Sequence, residues 1–158
     1  MFAELAVGLA GFAGIVAALQ GDLRSWSQAD RNRFWSIVIF AMATLAFSLL
    51  PLTWFASGRS PWWPCSSLLA LFLLLQGGYS ASLWVRHPPG FSRAVAAFMT
   101  TGAVLAELAQ LRNVVVLRSS AEFTQYLIGL IWLVTGSSFS FIRLLQFILS
   151  PNADDATK

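Results

Sequence analysis

The chain has 158 residues, 57% of them hydrophobic and 11% charged, with a formal net charge of +3. Soluble domains carry roughly 25% charged residues, so this composition excludes a water-clothed globule and points to one compact membrane domain. Its ten Lys and Arg are scattered between apolar runs, which fits loop charges facing anionic lipid and does not fit a nucleic-acid patch.

The first apolar run, Leu5 to Leu19, follows Glu4 and ends at Gln20-Gly21-Asp22. It lacks the basic leader of a secretory signal and reads as a retained membrane helix. Gly8, Gly11 and Gly14 recur every three residues, and Ala6, Ala10, Gly14 and Ala18 every four. Such a thin face lets helices approach closely, either inside one bundle or between subunits. Glu4 falls on the side of Gly8 and Gly11.

Ser27-Gln28-Ala29-Asp30 has capping-box spacing and predicts the start of the second helix, with Arg31 and Arg33 at the membrane interface. Phe34 to Gly58 is long enough to span with tilt. Within it Pro51 removes a backbone hydrogen bond and frees the carbonyl of Phe47. Ser60-Pro61 predicts a cap with proline at the first helical position of a third span. Cys65, the sole cysteine, excludes an internal disulfide and a thiolate cluster. It reads as a small buried hydrophobe. Gln76-Gly77-Gly78 and Ser80 form a polar, flexible patch, either a close contact or a hinge. His87-Pro88-Pro89-Gly90 predicts a turn, and His87 is the sole histidine, so one chain holds no paired histidines for zinc or haem.

The segment from Ala94 decides between four spans and five. Its uncharged part ends at Ala106 and is too short to cross alone. Extended through Glu107 to Leu117 it makes a full span, at a cost of about 2.5–3.5 kcal/mol for an acid at mid-membrane and less near an interface. The surrounding Val, Leu and Ala offset that cost, so five spans are expected. Ala96, Thr100, Ala103, Glu107 and Gln110 share a stripe that should face protein or water. In the last span Gln125, Gly129, Trp132, Gly136, Ser140 and Arg143 form a polar stripe, which Ser137 and Ser138 widen. The serines are expected to bond back to their own helix. Arg143 is expected to snorkel to the interface, with an inner gate or a lipid headgroup as its other roles. Ser150-Pro151 ends the helix, before a disordered polar tail over 151–158.

The expected fold is therefore an all-α bundle of five membrane helices, with four as the fallback, in a single domain over 1–150. The spans are 2–20, 31–57, 61–85, 92–116 and 121–148. Five spans put Arg24, Arg31, Arg33, Arg86, Arg93, Arg143 and Lys158 on one side, against Arg59, Arg112 and Arg118 on the other. The positive-inside rule then sets the N-terminus outside and the C-terminus in the cytoplasm, in a bacterial inner membrane. Trp26, Trp35, Trp54, Trp62, Trp63 and Trp84 fall near span ends, as belt residues do, while Trp132 is central.

No phosphate loop, dinucleotide turn or serine elbow occurs, so neither an enzyme nor a cofactor is expected. The expected function is a homo-oligomeric channel or channel-like protein for small cations. Glu4 and Glu107 would stand at its outer mouth, with Gln110, Gln125 and the Phe47 carbonyl at a similar depth. A hydrogen-bonded cluster, with Glu4 or Glu107 neutral or paired to Arg112, is the alternative for those groups. Two other functions stay open. One is a membrane protein holding a lipid or hydrophobic ligand among Trp132, Tyr126 and Gln76. The other is a non-conducting accessory subunit of a membrane complex. Membrane lipids and further copies of the chain are the expected partners, with another membrane subunit as the variant and no nucleic acid.

Five helices, abundant tryptophan and the string Pro61-Trp62-Trp63-Pro64 resemble the translocator protein family of small-ligand binders. That family carries its string after the first helix, whereas here it precedes the third, and no residue role is carried over.

Overall fold

The computed structural model describes residues 1–19, 28–55, 58, 60–86, 92–117 and 120–149. Among these, five helices form an all-α bundle: α1 (Phe2–Leu19), α2 (Gln28–Phe55), α3 (Trp62–Arg86), α4 (Arg93–Leu111) and α5 (Phe123–Leu149). A π-helical segment, Arg112–Leu117, continues α4.

Four stretches are long and apolar enough to cross a membrane: Arg31–Phe55, Trp62–Arg86, Arg93–Leu117 and Phe123–Gln146. The Glu107-bearing segment is one of them, the 19 residues of α4 being continued by the π-helical turn. α1 has 18 described residues, within the roughly 17–25 that a span takes, and it is not among the four, which are drawn from the described residues alone. The outer surface agrees with a lipid surround. Leu52, Leu75, Leu105, Leu108 and Ile142 are all exposed, whereas a water-soluble bundle turns such residues inward.

α5 is the central element, in contact with all four other helices, and α3 and α4 pack together on one side of it. Tyr126, Leu130 and Leu133 of α5 are buried against Phe40 and Ala43 of α2, Cys65, Leu69 and Leu73 of α3, and Ala103 and Ala106 of α4. A second cluster, Ile37 with Leu144, closes the other end of the α2–α5 contact. Small residues set the spacing. A Cβ added at Gly102 would overlap the ring of Trp132, and one at Gly129 would lie 2.5 Å from Leu69 Cδ2. At Gly102 the rigid ring would have to move for any side chain, while at Gly129 the tips of Leu69 and Gln110 would have to give way, so glycine lets α4 and α3 sit this close to α5.

Several boundaries shift by a residue. α3 starts at Trp62, with Cys65 N–H donating to the Pro61 carbonyl at 3.0 Å, so Pro61 is the cap and lies one position earlier than expected. Pro64 then falls in the first turn, where a missing N–H costs no helical bond. α2 starts at Gln28; Ser27, its expected cap, lies outside the described residues, as do His87–Gly90, Trp26 and the tail over 151–158.

α2 runs unbroken through Pro51. The Phe47 carbonyl that this proline frees accepts a hydrogen bond from Tyr126 Oη of α5. It is thus satisfied across the bundle and is no part of a polar vestibule. α3 is likewise continuous through Gly77 and Gly78, where an added Cβ would meet nothing within 4 Å.

Candidate functional site

Polar side chains on α3, α4 and α5 converge toward the bundle interior, and they fall into two groups. The first is a fully bonded clamp. Asn113, wholly buried in the π-helical segment, donates from Nδ2 to Ser66 Oγ of α3 at 2.8 Å and to the Glu122 carbonyl at 3.0 Å. Its Oδ1 accepts from Glu122 N–H at 2.7 Å. One amide thereby ties three elements and caps the approach to α5. Trp63 Nε1 donates to the Val114 carbonyl at 3.1 Å beside it. One turn inward, Gln110 Nε2 donates to the Gln125 carbonyl at 2.6 Å. A Cβ at Gly129 would come within 2.8 Å of that same Nε2, so the glycine makes room for the bond.

The second group is unsatisfied. Glu107 is 8% exposed, and neither carboxylate oxygen accepts a hydrogen bond. Gln110 Oε1, Gln76 Oε1 and Trp132 Nε1 are buried and unpartnered as well. Native interiors pair the large majority of such atoms, and in hydrocarbon there is no bulk water to stand in. Four acceptors and one donor left open on three neighbouring helices mark this region as the candidate site. The helix register relates them. The Asn113–Ser66 bond and the Trp84 Nε1 bond to Thr100 Oγ1, 3.1 Å, fix α3 antiparallel to α4. Interpolation between these bonds sets Gln76 level with Ala106, one residue from Glu107. On α5, Trp132 packs on Gly102 and Phe98, and Gly102 is five residues, or about 7.5 Å of helix, from Glu107.

The expected site residues thus separate. Glu107, Gln110, Gln125 and Gln76 gather around the α3–α4–α5 contact, with Gln76 Nε2 donating to Ser80 Oγ at 2.9 Å. Glu4 does not join them. Its side chain is 86% exposed and pairs with the chain's own N-terminal ammonium at 3.4 Å. The pairing of Glu107 with Arg112 is also overturned: Arg112 is exposed and the Glu107 carboxylate has no partner. Gly8, Gly11 and Gly14 have nothing within 4 Å of an added Cβ. Packing inside the bundle is therefore not what they serve; Ala6, 1% exposed, is buried instead. The side chain of Ala18 lies outside the described residues.

On α5, Ser140 is buried and Arg143 half-buried, close enough to Arg33 of α2 for the two charges to interact. Thr44 and Thr135 do bond back to their own helices, at 2.8 Å each. Ser137 does not: its hydroxyl donates to the Ile37 carbonyl of α2 at 3.3 Å, because Gly136 beside it brings α2 close. Asn113 escaped the reading of the sequence because it follows Arg112 at an expected interface. Tyr126, expected as a ligand contact, was not legible as a hydrogen-bond donor because its partner carbonyl is 79 residues away. The pairing of Pro51 with a buried phenol at similar depth was the one available signal for the latter.

The arrangement defines an α-helical bundle of the membrane-spanning class, with an unpaired acid in its interior. Compared with protein family models, curated proteins and solved structures, the chain matches none.

Proposed function

We propose that this chain is a small polytopic membrane protein that admits or moves small cations, as a homo-oligomeric channel or channel-like protein, with Glu107 as its cation-handling group. The observation that carries this reading is the buried Glu107 carboxylate with both oxygens unpartnered. Acids within membrane segments are costly and mark ion paths by default, and a cation is the simplest group to compensate one. In this reading α1 completes a fifth span, with the N-terminus outside a bacterial inner membrane and the C-terminus inside. The open Gly8–Gly11–Gly14 face supports contact between copies. Exposed Glu4 acts as a surface attractor, separate from the interior site.

Cation flux from proteoliposomes tests this. Flux is expected to fall at least tenfold in Glu107→Gln and to change less than threefold in Glu4→Gln. Equal loss in both variants, or none in either, overturns the assignment to Glu107. A second reading, a bound small polar ligand, draws support from Trp132 Nε1 and Gln76 Oε1, a donor and an acceptor that a bare ion would not both engage.

A further inference from the structure

The charge balance around Glu107 says more about how it would take a cation, given the reading above. The elements packed against α4 are α3, α5 and the π-helical segment. On α3 the titratable groups are Cys65, Tyr79 and Arg86; Cys65 is buried, Tyr79 exposed, and Arg86 is the last residue of the helix. On α5 they are Tyr126, bonded to the Phe47 carbonyl, and Arg143, eleven residues beyond Trp132 and close to Arg33. On α4 and its extension Arg93 and Arg112 are both exposed. α2 has no titratable side chain from Phe34 to Phe55, and α1 contributes only Glu4, which is held at the surface. No cationic side chain of the described residues therefore reaches the Glu107 carboxylate.

A bare charge in such surroundings costs several kcal/mol, and among the described residues the unpartnered buried groups are acceptors apart from one donor, Trp132 Nε1. The site needs one positive charge from outside the protein, and it has room in its charge balance for only one. We infer that the Glu107 site holds either one proton or one small monovalent cation, and that cation entry releases the proton. The step balances: the carboxylic O–H bond breaks, its electron pair stays on the carboxylate, the proton leaves to water, and the cation takes its place on the oxygens of Glu107, with Gln110 Oε1 and Gln76 Oε1 as further oxygen ligands. Oxygen-only ligation suits a hard ion. Binding to a deprotonated ligand releases protons by mass action.

The test uses the full chain in nanodiscs in weakly buffered solution. Sodium, lithium and potassium chloride are titrated separately, with cation binding followed by isotope and proton release by a pH dye. One proton released per cation bound is expected, with the apparent dissociation constant rising about tenfold per unit fall in pH while the proton form dominates. Glu107→Gln should lose both signals. Glu107→Asp should keep the one-to-one ratio with altered affinity. Cation binding without proton release overturns the exchange and leaves the cation reading standing. Failure of all three ions to bind a folded wild-type protein overturns both. Because the ratio is read on the wild type, the outcome does not depend on any variant folding.

Discussion

Replacing Tyr126 by Phe removes one hydroxyl from the bundle and nothing else. The ring, wholly buried beside Trp62 with centroids 6.0 Å apart, keeps its packing. What is lost is the bond to the Phe47 carbonyl, which has no helical donor because Pro51 stands four residues on. An unsatisfied buried acceptor costs about 1–3 kcal/mol, while interhelical bonds in membranes average about 0.6 and reach about 1.7. The carbonyl here has no alternative donor in its own helix, so the upper part of that membrane range applies, about 1–2 kcal/mol. In a Pro51→Ala background the backbone N–H restored at that position reaches the same carbonyl in the ordinary i to i−4 manner. The same Tyr126→Phe change should then cost about 0.5 kcal/mol, close to the membrane average. The four proteins make a double-mutant cycle, read by reversible unfolding in mixed micelles with secondary structure as the signal. A Tyr126→Phe cost that is equal in both backgrounds would refute the coupling and, with it, the account of how this bundle tolerates Pro51.

Other outcomes follow from the same geometry. Asn113→Leu removes three bonds shared by α3, the π-helical segment and the start of α5. It should destabilise by about 2–3 kcal/mol, with protease cleavage after residue 117 rising in parallel as α5 loosens. Gly102→Ala should displace the Trp132 ring; the emission spectrum in a variant keeping Trp132 as its sole tryptophan should shift, whereas Gly77→Ala, in open space, leaves it unchanged. Gly8→Leu with Gly11→Leu should leave the stability of one copy within about 0.5 kcal/mol, since nothing packs there, while reducing oligomer size on gel filtration if that face joins copies.

Much of this fold is legible in the sequence because a membrane span is a simple object: length and apolarity suffice to find it. Glu107 was legible as well, as an acid that a span had to swallow. Its isolation was not. Span length and polarity do not say which donors of the neighbouring helices reach the carboxylate, and Arg112, five residues on, lies about 140° round the helix from it, exposed, while Asn113 turns in. The glycines that set helix spacing are hard to read for a related reason. A run of glycines at regular spacing suggests a contact surface, but the positions where helices touch are Gly102, Gly129 and Gly136, each set apart from other glycines and each facing a large side chain. Complementarity between a hole and a distant bulky residue is invisible to periodicity.

The distribution of satisfied and unsatisfied groups carries its own argument. The bonds of Asn113, Gln110, Tyr126 and Trp63 all lie toward the α4–α5 turn. They lock α3, α4 and α5 at one end without any help from the middle of the bundle. Glu107 sits one turn beyond the last of these bonds on a helix whose rotation they fix. A flexible acid in an apolar medium would swing toward the nearest donor or toward the lipid headgroups. Here the backbone that carries it cannot turn to another face, and no donor of the described residues bonds its oxygens, so relief comes from a species that enters. That is why the unsatisfied carboxylate is better read as a site than as an accident of packing: the clamp would stabilise the bundle equally well with leucine at position 107, and the acid adds a cost that only an incoming positive charge offsets.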